Sequence, residues 1–150
     1  MVSLQNFVRV MEQYAVFEGR ASRSEFWWYV LALLIVAFFI GLAVIPLLSF
    51  SPYAPYILAY GFVLAIFTPT LAVVVRRLHD TGRSAWWSLG FVASAVYELA
   101  SLLAPPALDA LFWLVYVILL LYNILLLVFM ALPGNSGENK YGIEGISEAL

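Results

Sequence analysis

Four long apolar stretches, separated by short polar segments, dominate the pattern of this 150-residue chain. They lie at about 26–48, 57–75, 86–103 and 111–132. Stretches of about 18 to 23 residues match a hydrocarbon core of about 30 Å at the helical rise of 1.5 Å per residue. Because lipid offers no partner to a free backbone N–H or C=O, each span must be a helix. The pattern therefore predicts an all-α integral membrane protein with four transmembrane helices.

The segments outside these stretches have patterns of their own. A short amphipathic helix is predicted near the N-terminus, because apolar residues recur there at helical spacing: Leu4, Phe7, Val8 and Met11. Residues 133–142 are rich in Gly and Asn and predict an irregular C-terminal tail. No linker divides the chain, so we expect one membrane domain over 1–150, with an N-terminal segment 1–25 and a tail 133–150.

Composition agrees with a membrane location. Hydrophobic residues make up 65% of the chain and charged residues 11%, a balance that a soluble domain of this size could not bury. The chain has no cysteine, which excludes disulfides, thiolate metal sites and thiol nucleophiles. The few cations flank the apolar stretches rather than form a basic face, so we expect no nucleic-acid partner.

The seven basic residues lie in alternate connections of the chain. Three precede the first stretch (Arg9, Arg20 and Arg23), three lie between the second and third (Arg76, Arg77 and Arg83), and Lys140 follows the fourth. The other two connections, 49–56 and 104–110, contain neither Lys nor Arg. Cytoplasmic loops of multi-pass proteins carry the excess of Lys and Arg. The alternation therefore predicts that both termini, including segment 1–25 and tail 133–150, face the cytoplasm.

Three sequence motifs fall on that predicted cytoplasmic side. They read FEGRASRSEFWW at 17–28, RRLHDTGRSAWW at 76–87 and GENKYG at 137–142. In this order, and spread over nearly the whole chain, they resemble the signatures of a family of small bacterial inner-membrane proteins, domain of unknown function 805. Where the central signature often has Gly after its serine, this chain has Ala85. The resemblance implies a multi-pass protein of the bacterial cytoplasmic membrane and supplies no activity.

The motifs bring charged residues of both signs to one predicted surface. The members are Arg20, Arg23, Glu25, Arg76, Arg77, His79, Asp80, Arg83 and Lys140. Such a cluster can be a structural ion-pair network that joins helix ends, a site for an anion or lipid head group, or a site for chemistry. We expect Asp80 to pair with the arginines that enter the first helix, Arg20 and Arg23, because a helical hairpin brings these positions to one level. Glu25 should then take a cation from segment 76–83. We therefore predict that Asp80→Asn and Arg23→Gln each destabilise the bundle.

Glu98 is an acidic residue inside the third predicted span, where a charge is costly. Helical spacing places Ser94, Glu98 and Ser101 on one face. Polar residues of the second and fourth spans lie at a similar predicted depth: Tyr60, Tyr116 and Asn123. We expect one of them to hydrogen-bond the Glu98 carboxyl. The alternatives are a structural group, in the bundle or near the outer surface, and a proton or cation site.

These features predict a non-enzymatic membrane scaffold or accessory protein whose charged cluster organises the bundle and binds anionic lipid or a partner. The alternative is a small oligomeric, proton-coupled transporter or channel that uses Glu98. His79 is the only histidine, and hydrolase, Walker and zinc-protease motifs are absent, so we predict no catalytic residue, no metal site and no cofactor. The expected partners are membrane lipids, a second copy of the chain or another membrane protein.

Overall fold

A computed structural model describes residues 8, 10–49, 51, 53–101 and 108–142. Within these ranges the chain forms long α-helices: α1 (Arg23–Leu47), α2 (Ala54–Asp80), α3 (Leu89–Ser101) and α4 (Asp109–Ala131). A 3₁₀ turn, Ala85–Ser88, leads into α3. The described residues contain no β-strand beyond an isolated bridge between Asn139 and Gly142. The predicted all-α fold is confirmed.

Local capping sets the ends of the first two helices. The Ser22 hydroxyl accepts a hydrogen bond from the Glu25 backbone N–H (3.2 Å), so α1 starts at Arg23, ahead of the apolar stretch. Gly82 follows α2 with φ at +75°, a conformation that favours glycine and ends the helix. Helix α2 therefore continues past the apolar stretch and includes Arg76, Arg77, His79 and Asp80.

The third predicted span, 86–103, differs from the other three. Helices α1, α2 and α4 are each long and apolar enough to cross a membrane. The third span begins with the 3₁₀ turn, in which the Ser88 hydroxyl donates to the Ala85 carbonyl (2.7 Å). Its α-helical part, Leu89–Ser101, has 13 residues, and the described residues resume at Leu108. The described chain thus has three helices of spanning length, and a fourth crossing stays a prediction.

The two ends of the chain differ in how much of them is described. Residues 133–142 form irregular turns, as the sequence predicts. Of the predicted N-terminal amphipathic helix, residues 10–12 are helical, and Val10 is fully buried. Leu4 and Phe7, on which that prediction also depends, lie outside the described residues.

The buried core lies at one end of the bundle. It consists of Val10, Ala21, Phe26, Tyr29, Val73, Val74, Leu78, Leu126 and Met130. We call this the arginine end, because Arg20, Arg76 and Arg77 are buried within it. Apolar side chains nearer the other end are exposed; Phe38 and Phe39 of α1 are each 63% exposed. Exposed apolar surface of this extent is stable in lipid rather than in water.

Polar side chains join the helices in pairs. Between α1 and α2, the hydroxyls of Tyr29 and Thr70 are 2.9 Å apart. Between α3 and α4, the Asn123 amide donates to the Ser94 hydroxyl (2.7 Å). These are also the two helix pairs with the most extensive contact, so the chain is built as two helical hairpins.

A close contact in the second hairpin provides a test of this packing. Gly90 of α3 lies against the Tyr122 ring of α4, so a Cβ there would overlap the ring. We expect Gly90→Ala to lower the free energy of unfolding by about 1–3 kcal/mol, the usual cost of overpacking. Gly61→Ala in α2 is the matched control, because its Cβ meets open space and alanine favours a helix. Thermal unfolding in detergent measures both, and equal stability of the two variants would contradict the packing.

Candidate functional site

Asp80, the last residue of α2, lies at the centre of the arginine end and is 4% exposed. Its Oδ1 accepts a hydrogen bond from Arg20 Nε (2.9 Å) and lies 2.8 Å from Arg20 Nη2. Its Oδ2 accepts a hydrogen bond from Arg77 Nη1. Each carboxylate oxygen therefore has its own arginine, and one buried negative charge is held between two positive ones.

Arg77 is fully buried, and its other N–H groups bind backbone carbonyls. Nε donates to Met130 (3.0 Å) and Nη2 donates to Leu132, both at the end of α4. Nη1 also donates to the Ala21 carbonyl (3.3 Å), in the segment before α1. Because a guanidinium stays protonated in proteins, these acceptors compensate a permanent charge. One side chain thus joins α2, the end of α4 and the N-terminal segment.

Arg20, which is 8% exposed, binds the C-terminal tail. Nη1 donates to the carbonyls of Gly137 and Gly142, at 3.3 Å for the latter. Nη2 donates to the Asn135 carbonyl. Since the same guanidinium also binds Asp80, all three sequence motifs meet at this one side chain.

The C-terminal tail also caps α2, whose last turn leaves backbone carbonyls without partners inside the helix. The Asn135 N–H donates to the Asp80 carbonyl (2.8 Å), and the Asn139 side-chain amide donates to the His79 carbonyl (3.1 Å). Gly134 lies so close to the Asp80 carboxylate that a Cβ would overlap it. These tail residues were missing from the predicted site. The sequence signals them only by the GENKYG motif, which contains Asn139, and by Gly134 and Asn135 shortly before that motif.

His79 packs between the tail and the N-terminal segment. Its ring stacks on that of Tyr141, with centroids 3.8 Å apart and an interplanar angle of 8°. Its Nδ1 lies 3.3 Å from the Gly19 carbonyl. His79 and Asp80 are neighbours in sequence, but their side chains have different partners. The two therefore do not form a catalytic dyad.

A second buried ion pair joins α2 to α1. Arg76 Nη2 lies 3.5 Å from Glu25 Oε1, and the two residues are 2% and 3% exposed. Arg76 Nε has no hydrogen-bond partner among the described residues, so Arg76 and Glu25 form an ion pair without bidentate hydrogen bonds. Asp80 binds Arg20, one of the two arginines predicted to pair with it, and Glu25 lies beside a cation of segment 76–83, as predicted.

The remaining predicted members of the cluster lie nearer the surface. Arg23 is exposed in the first turn of α1. The Arg83 guanidinium lies over the Phe129 ring, 4.0 Å from its centroid. Lys140 Nζ lies 4.8 Å from the centroid of the Tyr141 ring. Both distances are within the cation–π range. The predicted set thus divides into a buried network and a rim of surface cations.

Glu98 lies toward the other end of α3, where it is exposed. It lines a shallow pocket together with polar and aromatic residues of α3 and α4: Tyr97, Ser101, Asp109, Phe112, Trp113 and Tyr116. The Ser101 hydroxyl donates to the Glu98 backbone carbonyl (2.8 Å), not to the carboxylate. The sequence predicted five polar residues near Glu98, and two of them, Ser101 and Tyr116, line the pocket beside it.

The predicted hydrogen bond to the Glu98 carboxyl is wrong for the described residues, in which no side chain donates to it. The Asn123 amide donates to Ser94 instead, and Tyr60 is exposed on α2 and outside the pocket. Tyr116 lines the pocket without such a bond. The depth of a residue follows from its position along a helix, but the side to which it turns depends on how the helices pack.

The fold and the cluster define a class of protein: a small all-helical chain with apolar helices of membrane-spanning length and buried charges gathered at one end. A family model described as "Protein of unknown function (DUF805)" matches residues 14–143. The chain belongs to the DUF805 family, as the three motifs predicted.

Relatives of the chain occur in Escherichia coli K12. It is 34% identical to "Inner membrane protein YhaI", over 93% of each chain. It is 32% identical to "Inner membrane protein YhaH", over 91% of this chain and 92% of that one. It is 30% identical to "Uncharacterized protein YiiR", over 84% and 83%. No solved structure matches the chain.

The geometry of Asp80 leads to a prediction for stability. Removing one partner of a buried ion pair costs about 3–5 kcal/mol, because the other charge stays buried. We expect Arg20→Gln and Asp80→Asn each to lower the free energy of unfolding by that order, and the double variant to lose less than the sum. Because Arg23 is exposed, we expect Arg23→Gln to cost only about 0–1 kcal/mol, less than the sequence predicts for it, and this variant serves as the control. A double-mutant cycle in detergent or bicelles measures the coupling, and strictly additive losses would rule out the Arg20–Asp80 pair.

Proposed function

We propose that this chain crosses the bacterial inner membrane four times, with both termini in the cytoplasm. The relatives named inner membrane proteins support the location, and the segregation of Lys and Arg supports the orientation. The length of the third span supports the fourth crossing. At about 2.0 Å per residue in the 3₁₀ turn and 1.5 Å in α3, it rises about 27 Å, close to the hydrocarbon thickness of about 30 Å.

Cysteine labelling tests this topology without background, because the chain has no cysteine. In spheroplasts, we expect Ser51→Cys and Leu108→Cys to react with a membrane-impermeant maleimide, since both lie in connections that lack Lys and Arg. Thr81→Cys and Ser136→Cys should react only after lysis. Protection of Leu108→Cys together with labelling of Ser136→Cys would instead indicate three crossings, and labelling of Thr81→Cys in spheroplasts would contradict the orientation.

We propose further that the protein is a non-enzymatic scaffold or accessory protein of this membrane. The observation that carries the proposal is the direction of the arginine donors: those of Arg20 and Arg77 bind Asp80 and backbone carbonyls of the chain itself. An arginine that binds a substrate or stabilises a transition state needs N–H groups directed at the ligand. Buried groups that satisfy one another hold segments in one arrangement, which is a structural role.

The rim of the arginine end is the part that can meet a ligand. Its cations are Arg23, Arg83 and Lys140, and exposed tryptophans stand beside them: Trp27, Trp28 and Trp86. Cations at the level of the head groups attract anionic lipid, and tryptophan favours the membrane interface. We therefore assign lipid association to the rim. Arg76 and Arg77, which the sequence placed among the candidates, are buried in the network behind it.

A lipid-retention experiment tests this function. The protein is placed in nanodiscs that contain equal amounts of phosphatidylglycerol and phosphatidylethanolamine, and the lipids retained after extraction are counted by native mass spectrometry. We expect phosphatidylglycerol to exceed phosphatidylethanolamine by about fivefold or more, the effect of at least one cation near the membrane surface. The excess should fall as salt is raised. Equal retention of the two lipids would contradict the proposal.

A second candidate function is a small oligomeric, proton-coupled transporter or channel. The observation in its favour is the pocket that places Glu98 and Asp109 together with the hydroxyl-bearing Ser101 and Tyr116. Vesicles loaded with a pH-sensitive dye distinguish the two functions. Transport requires a proton flux that is lost in Glu98→Gln, whereas a scaffold produces none in either protein.

A further inference from the structure

A groove lies between the start of α1 and the last residue of α4. It has a volume of about 470 Å³, and its lining residues are Arg23, Ser24, Trp27, Trp28, Leu31 and Ala131. From Ser24 onward, the α1 residues follow i, i+3, i+4, i+7 spacing, so they form one stripe along the helix. The groove is separate from the buried hydrogen bonds of Asp80 and opens at the surface of the described chain.

Polarity changes along the groove in one direction. Arg23 and Ser24 lie at its polar end, Trp27 and Trp28 lie about one turn further along α1, and Leu31 lies a turn beyond them. From Arg23 to Leu31 the helix rises about 12 Å. The head-group region on one side of a bilayer is about 5–8 Å thick, and the acyl chains begin beneath it. A molecule that matches the groove therefore has a charged end, an interfacial middle and an apolar end over this distance, as a phospholipid does.

The charges around the groove favour an anion. Glu25, the acidic residue of the same helical turn, is turned inward: it is 3% exposed and lies 3.5 Å from Arg76. The buried charged residues of the arginine end are three arginines and two carboxylates, which together leave one positive charge: Arg20, Arg76, Arg77, Glu25 and Asp80. Arg23 adds a positive charge at the groove itself. With five N–H donors, it can bind a phosphate in addition to its contacts within the chain.

We propose that this groove binds an anionic phospholipid of the inner leaflet. The phosphate binds Arg23 and Ser24, the glycerol region lies beside the two tryptophans, and an acyl chain lies along Leu31 and Ala131. The proposal rests on the scaffold function proposed above and assigns its lipid contact to one site. Arg83 and Lys140 do not line the groove and contribute only a general attraction.

The test compares lipid retention by variants in nanodiscs of phosphatidylglycerol and phosphatidylethanolamine at physiological salt. Arg23→Gln removes the charge of the groove, and we expect it to retain about tenfold less phosphatidylglycerol, the factor for a lost charge-assisted hydrogen bond. Ala131→Phe keeps every charge and fills the apolar end, so it should lose the same lipid. Lys140→Gln is the comparison variant: it removes an exposed cation of the same end that does not line the groove, so it should lose only the general attraction, a clearly smaller loss than that of Arg23→Gln.

Thermal unfolding of each variant accompanies the lipid count, because Arg23 begins α1. If Arg23→Gln does not fold, Ala131→Phe decides the result. Wild-type retention by these folded groove variants overturns the site; if the unmodified protein still prefers phosphatidylglycerol, the scaffold function stands. An equal loss in Lys140→Gln also overturns the site, since the attraction is then diffuse. Displacement of the lipid by inorganic phosphate, but not by chloride at the same ionic strength, overturns the lipid assignment, since a phosphate ion alone is then the ligand.

Discussion

The Asp80 carboxylate, held between Arg20 and Arg77, is the interaction on which the arrangement of this protein depends. A charge buried without a partner costs several kcal/mol, so none of these groups can leave the others while the end stays packed. Through their remaining donors the two arginines also hold the end of α4 and the C-terminal tail. Segments that are distant in sequence are therefore fixed relative to one another by a few side chains.

This use of the arginines separates two roles that the sequence presents as one cluster. Buried donors that bind the chain's own carboxylate and carbonyls cannot also bind a lipid without breaking the structure. The cations that remain at the surface are arranged around this buried end, with tryptophans beside them and apolar helix surface beyond. In that arrangement the buried network sets the positions of the surface cations.

The sequence predicts some of this arrangement, and physical reasons separate those parts from the rest. Helix positions are predictable because apolar length has to match the bilayer, and the pairing of Asp80 with the N-terminal segment follows from the hairpin. The burial of Arg20 rather than Arg23 is not predictable, since it depends on how the segment before α1 packs. The capping role of the tail is equally hidden, because backbone carbonyls have no sequence signature. For Glu98, the position along the sequence predicts its depth in the membrane, but it does not predict how α3 is rotated about its own axis. Its predicted hydrogen bond was therefore wrong.

Chemical labelling of arginine in inverted membrane vesicles tests the central claim, that the guanidinium groups of Arg20 and Arg77 are buried and bind acceptors of the chain itself. Phenylglyoxal modifies accessible guanidinium groups, and peptide mass spectrometry assigns each modified residue. We expect Arg23 to be modified in the folded protein, while Arg20, Arg76 and Arg77 stay protected until the protein is denatured. Modification of Arg20 and Arg77 in the folded protein at the rate of Arg23 would contradict the account.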